Sequence, residues 1–213
     1  MCGVLNYKEF LKNFFRNFQK KPLNMMLRFS KKAILKNLNF INTNDELTEK
    51  GAIAASISHN PGALIIGKLI KNDSMVNMTI DQSAAILSLF VCPKSTSKKL
   101  CQKTSMAIRV AMDILKKINE DEKNMDISNK QMLKVDFCSL MFRKVQDVVR
   151  EKSISEVIDK SEVYAAILLK TMKDIKKLAE KMINTLNSKY KNHFKHLIDV
   201  IAESIKEDVT LSD

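Results

Sequence analysis

Residues Gly62-Ala63-Leu64-Ile65-Ile66-Gly67-Lys68-Leu69 come within one position of GxxxxGK[ST], the loop whose backbone amides cradle a nucleotide's phosphates. The failing position is the one that must hold magnesium through a hydroxyl, and it is Leu69. The intervening residues are apolar at helical spacing and no strand precedes them, so the segment is expected to be a buried helix. His193 and His196 are three apart and could share a helix face, but no nearby carboxylate or thiol completes a metal site. They are expected to face solvent. His59, beside Asn60 and Pro61, reads as a loop residue. Cys2, Cys92, Cys101 and Cys138 are scattered with no CxxC pair, and read as free thiols in a reducing compartment. No Ser-His-Asp order, nucleophile elbow or paired-carboxylate cleft can be assembled from the rest. No catalytic residue, metal ligand or resident cofactor is assigned to this chain.

The remaining chemistry is charge. The 213 residues carry a net charge of +12, and residues 1 to 38 hold nine basic side chains against one acid, Glu9, so +8 of the total lies there. Such a segment suits a polyanion, because each phosphate neutralised by Lys or Arg releases condensed counterions. A solvated cationic surface is the alternative.

The elements that carry these charges read as helices. Only 4 Gly and 3 Pro are present, too few for the tight turns of a many-stranded sheet, while Lys, Leu, Ile, Met, Ala and Glu favour helix. The expected class is all-α, a helical bundle with at most one small hairpin. Tyr7, Phe10, Leu11, Phe14, Phe15 and Phe18 fall on one helical stripe that ends near Pro22. Such a basic amphipathic helix can lie on a membrane or act as a transit peptide, but packing against the rest of the protein is preferred. A second helix is expected over Met25 to Leu38. Phe40-Ile41, a turn at 42–45 and Glu46 to Thr48 then form a two-stranded wing. Capping boxes at Thr79 to Gln82 and Ser153 to Glu156 each open a helix. The further helices predicted are Pro61 to Lys71, Ile80 to Val91, Ser97 to Asn119, Val135 to Lys152, Glu162 to Leu186 and Lys189 to Glu207. The charged stretch Asn119 to Asn129 lacks apolar periodicity and is expected to be a loop. No apolar run approaches the roughly 20 residues needed to span a bilayer.

Beyond this point the reading rests on resemblance. Residues 34–41, Ile34 to Ile41, and then Leu47 to Ile57 resemble the "hLxxLGhh…hTxKGrhAxxI" passage of the C-terminal domain, often called DSHCT, of exosome-associated DExH-box RNA helicases. Leu64 to Ile70 and Gln82 to Val91 resemble its "ELhLTELhhNG" and "QhhALLSCFV" helices. Asp147-Val148-Val149, Ser153 to Ile158, Glu162 to Met182 and Ala202 to Val209 are similar to its later passages, in the same order. After the basic amphipathic segment read above at 1–27, the resemblance implies the later half of a winged-helix unit at 28–58 and a helical bundle at 59–213. It further implies that the bundle lies across the RNA exit path of two RecA-like motor domains. Its long ratchet helix corresponds to Ser161 to Leu186, and the family's RNA-contacting arginines fall on Lys170 and Lys173, with Lys177 one turn along. Lysine keeps the charge and loses the bidentate fork. The family's acidic pair is Gly62-Ala63 here, and its next acid is Lys68.

The function implied is an RNA-binding, motor-contacting domain of a divergent exosome-type helicase with no catalysis of its own. ATP and magnesium would act only through motor domains elsewhere, in cis or in trans. The implied partners are RNA, those motor domains, and the RNA exosome or its adaptors. The implied compartment is intracellular and reducing, the nucleus ahead of the cytoplasm. The alternative is a non-catalytic helical scaffold, a protein-protein module derived from that domain, suggested by apolar Ala63 and Leu169 where polar residues are expected.

Overall fold

The computed structural model describes residues 32–57, 60, 62–71, 75, 77–91, 106–124, 141–151, 154, 157 and 162–209. Its helices are α1 (Glu49–Ser56), α2 (Ala63–Lys71), α3 (Ile80–Val91), α4 (Met106–Asn124), α5 (Phe142–Glu151), α6 (Glu162–Ile183) and α7 (Ser188–Val209), preceded by helical residues 32–37. The protein is all-α. The hairpin expected after Phe40 is reduced to one antiparallel bridge, Ile41 to Leu47. The aromatic stripe at 7–18, the Ser153 capping box, His59 and all four cysteines lie outside the described residues. The chain forms two compact units, Met1–Asn72 with Ile108–Val135, and Asp73–Ala107 with Asp136–Asp213.

In the first unit, the opening helix ends because Asn39 adopts a left-handed conformation, φ 59. Phe40 N–H then reaches back to Leu35 C=O and Asn39 N–H to Lys36 C=O, both at 2.8 Å, which is the paired Schellman closure. The exit of the chain carries Phe40 and Ile41 into the core. Thr48 caps α1: its hydroxyl accepts from Gly51 N–H at 3.2 Å, and its own N–H donates to Phe40 C=O at 3.1 Å. The start of α1 is thereby fastened to the end of the preceding helix. A Cβ on Gly51 would stand 1.9 Å from the Phe40 carbonyl oxygen, so only glycine admits this approach. Gly67 of α2 meets the Lys50 carbonyl oxygen in the same manner, more loosely, with a built Cβ at 3.1 Å. Gly51 thus seats α1 on the turn before it and Gly67 lets α2 approach the backbone of α1, burying Ile53, Leu64, Ile65, Leu69 and Ile70. The near-phosphate-loop segment is this apolar helix.

Helix α4 differs from expectation. Residues 119–124 belong to it and do not form a loop; 125–129 lie outside the described residues. Its inward positions run Ala111, Ile114, Ile118 and then Glu122, buried at 0, 5, 1 and 4% exposure. An acid occupies the last core slot, so apolar periodicity fails at Asn119 while the helix continues.

In the second unit, α3 packs against α5, α6 and α7. Surrounded in this way, it buries Ser83 through Phe90 almost without interruption, which is why its sequence carries no polar face. The expected capping box is half present, since the Gln82 side-chain oxygen accepts from Thr79 N–H at 3.2 Å. Asn187 caps α7 by accepting from Tyr190 N–H at 3.3 Å.

Candidate nucleic-acid interface

Helix α6 divides cleanly into two faces. Leu168, Met172, Ile175, Leu178, Ala179 and Met182 recur every three or four residues and are buried against α7, whose Phe194, Leu197 and Ile201 face them, and against α3. The burial of this face fixes which side chains the helix must leave to water. Those are Ala166, Lys170, Lys173, Lys177, Glu180 and Lys181. Lys170, Lys173 and Lys177 are thus brought together on one exposed face, and none has an ion-pair partner among the described residues. At about 1.5 Å of rise per residue they span roughly 10 Å of helix, close to three phosphates at the ~3.4 Å spacing of a stacked strand. Two acids flank this face: Asp174, part-buried, is one turn from both Lys170 and Lys177, and Glu180 lies 3.8 Å from Lys176.

The bundle beneath is held by two polar clusters that sequence reading did not find. Asp81, at the start of α3, accepts from Gln146 Nε2 and from Arg150 Nε of α5, each at 2.9 Å. Burial pushes the Asp81 carboxyl up, but hydrogen bonds from Thr79, Gln146 and Arg150 and the Arg150 charge outweigh it and hold the group below its ordinary value. Arg150 and Gln146 are one helical turn apart, a spacing legible in the sequence, but nothing there names Asp81 as their partner. The second cluster corrects the histidine expectation. His196 is exposed, whereas His193 is half-buried and its Nε2 lies 2.9 Å from Ser83 Oγ. Ser83 donates its proton to the Met75 carbonyl oxygen at 3.2 Å, so His193 is the donor in the pair. Burial, and then the neighbouring His196, push the His193 imidazole down and favour its neutral form. Ser83 is wholly buried and serves as a structural link between α3 and α7.

A further cationic group lies in the first unit. Lys50 donates to the Leu38 carbonyl oxygen, at the end of helical residues 32–37, and its ammonium lies 4.6 Å from the centre of the Phe40 ring. Burial, with Lys68 and Lys71 nearby, lowers its pKa from 10.5 to about 8. Lys71 is paired with Glu49 at 2.6 Å. Lys68 is the residue standing at an acidic position of the helicase pattern, and that inversion was the sequence signal for this cluster. Ala63, offered in support of a scaffold surface, is in the core at 2% exposure. Among the described residues no group of three or more His, Cys, Asp or Glu is placed to hold a metal, and no helix is long and apolar enough to cross a membrane.

Residues 44–212 match the DSHCT (NUC185) domain. The chain belongs to the DSHCT domain family. Two curated relatives are similar to it: "mRNA transport homolog 4" of Caenorhabditis elegans, 21% identical over 192 residues covering 86% of this chain and 18% of the relative; and "ATP-dependent RNA helicase mtr4" of Schizosaccharomyces pombe, 21% identical over 162 residues covering 73% of this chain and 14% of the relative. The chain therefore spans less than a fifth of the length of these relatives. The DSHCT match takes in α1 to α7 and includes the lysine face of α6.

Proposed function

We propose that this DSHCT chain is the RNA-binding and motor-contacting domain of a divergent exosome-type DExH helicase, acting without catalysis of its own. The observation that carries the reading is the lysine face of α6: three cations without an ion-pair partner among the described residues, on one side of the long helix of a family whose relatives include a protein named as an RNA helicase. Lysines presented this way meet phosphates and position a strand without reading bases. Binding is therefore weak, indifferent to sequence and steep in salt. Motor domains would supply ATP hydrolysis and magnesium, and the domain would alter their RNA-stimulated rate. A reducing intracellular compartment, where exosome-type RNA processing occurs, goes with this reading.

The test is anisotropy of a labelled oligouridine titrated at several salt concentrations. The three contacts contribute about −2 to the log-log slope, at about 0.7 per contact on single strands, and Lys170→Glu with Lys173→Glu lowers its magnitude by about 1.4. The loss should be the same on oligoadenosine. A double variant that binds both RNAs as tightly as the parent at matched salt refutes the assignment and gives the lead to a protein-protein scaffold.

A further inference from the structure

Lys68 presents an electrostatic anomaly. It is half-buried on α2, and its ammonium makes no hydrogen bond and no ion pair with any described residue. Its charged neighbours on α1 are Lys50 and on α4 Lys117 and Asp121. Lys50 has an acceptor in the Leu38 carbonyl oxygen, and Lys71, one turn beyond Lys68, has Glu49. Four lysines thus meet two carboxylates, Glu49 and Asp121, and the excess positive charge is centred on Lys68 and Lys117, neither of which has a hydrogen-bond or ion-pair partner among the described residues. A partly desolvated ammonium is stable when an anion answers it, and a like-charged neighbour on either side raises the cost of leaving it unanswered.

We propose that Lys68, with Lys117 beside it, forms a phosphate-binding site for single-stranded RNA in the first unit, additional to the lysine face of α6; this rests on the RNA-binding reading of the chain. A phosphodiester matches the site because it offers two charged oxygens to two separate ammoniums and needs no apolar surround. An acidic protein segment matches it less well. Protein interfaces are depleted in lysine and centre on apolar anchors, and the one large apolar side chain exposed among the described residues is Met112 at 43%. The cost that burial and repulsion place on the Lys68 and Lys50 ammoniums is offset by the charge of an arriving phosphate, which couples binding to proton retention in the cluster.

The experiment uses the full chain and the variants Lys68→Glu and Lys68→Glu with Lys117→Glu. Lys68→Glu should raise the urea midpoint, because the new carboxylate removes a repulsion and faces Lys50, so any loss of binding cannot be ascribed to unfolding. In oligouridine titrations the double variant should reduce the magnitude of the salt slope by about 1.4, at about 0.7 per contact. Adding Lys170→Glu and Lys173→Glu should lower binding further and additively in log K. A double variant with the parent's slope and affinity overturns the site. A second arm measures the urea midpoint with inorganic tripolyphosphate at constant ionic strength. If the parent fails to bind oligouridine yet is stabilised by tripolyphosphate in a Lys68-dependent way, the anion site stands, but both its assignment to RNA and the RNA-binding reading of the chain fail. Stabilisation by neither overturns the site as well. Tighter binding of an oligoglutamate than of oligouridine, lost with Lys68→Glu, overturns the RNA assignment in favour of an acidic protein partner.

Discussion

Replacing Gly51 with alanine should be among the most damaging single-methyl changes in this chain. The added Cβ would lie 1.9 Å from the Phe40 carbonyl oxygen and 3.0 Å from its carbon, whereas ordinary contact begins near 3.4 Å. The obstacle is backbone, so no rotamer change relieves it, and α1 must retreat by more than an ångström from the turn that it caps. That retreat breaks the Thr48 N–H bond to Phe40 C=O and disturbs the Thr48 hydroxyl cap on Gly51 N–H. Losing an N-cap costs about 1 kcal/mol and a backbone hydrogen bond about 1 more, while residual overpacking adds roughly 1 to 3. Alanine's helical preference over glycine returns about 1 kcal/mol, leaving a net loss of about 2 to 4. Gly67→Ala is the internal control: its Cβ would meet the Lys50 carbonyl oxygen at 3.1 Å and the Phe40 ring at 3.3 Å, contacts that a few tenths of an ångström relieve, for a cost of about 1 kcal/mol or less. Urea unfolding followed by circular dichroism at 222 nm (a peptide-bond signal) ranks the two. A Gly51→Ala midpoint within error of the parent, or a Gly67→Ala loss exceeding it, would refute the reasoning.

Three further outcomes are expected. Asn39→Gly should raise the urea midpoint by up to about 1 kcal/mol in free energy, because glycine reaches φ 59 without a Cβ penalty, while Asn39→Val should lower it. Lys50 should make stability rise with pH between about 8 and 10.5: its folded pKa is lowered, so the unfolded chain binds the extra proton in that window, and below about 8 both states hold it. The parent's midpoint should therefore climb across the window relative to Lys50→Met, and parallel curves would remove the effect. Asp81→Ala should lower the stability by about 1 to 3 kcal/mol, since it removes the carboxylate that accepts from both Gln146 and Arg150 and ties α3 to α5, with Asp81→Asn intermediate.

Much of the helical organisation was legible because the buried faces have a clear period. Ile80 to Val91 is bounded as expected, and the 162 to 183 helix declares its inner face through Leu168, Met172, Ile175 and Met182. The lysine face follows from that burial, since the side chains a helix cannot bury are determined by those it does. The readings failed where a polar residue takes a core position. Glu122 broke the apolar pattern of α4 and suggested a loop, and His193 was assigned to solvent although Ser83, 110 residues away, receives its N–H. Partners at such separations leave no local trace. The Lys50 and Lys68 cluster had one trace in the sequence, the lysine at an acidic position of the pattern: each lysine alone looks like a solvated charge, and it is the close approach of α2 to the Lys50 carbonyl oxygen at Gly67 that brings the two near enough to oppose one another.

The two compact units do not follow one another along the chain. The backbone passes from one to the other at 72–73, returns at 107–108 and leaves again at 135–136, so α4 is contributed to the first unit from within the span of the second. No single scission releases either unit whole: a cut after residue 72 deprives the first of α4, and the piece from 73 onward keeps that helix without the rest of its unit. During synthesis the first unit cannot close until residue 135 has been made, by which time α3 has already been waiting for α5 to α7. A deletion series taken from either end should consequently show no stable stopping point between the units, and the smallest separable version of either would have to be spliced, with a new linker replacing the strand of chain it lends to the other.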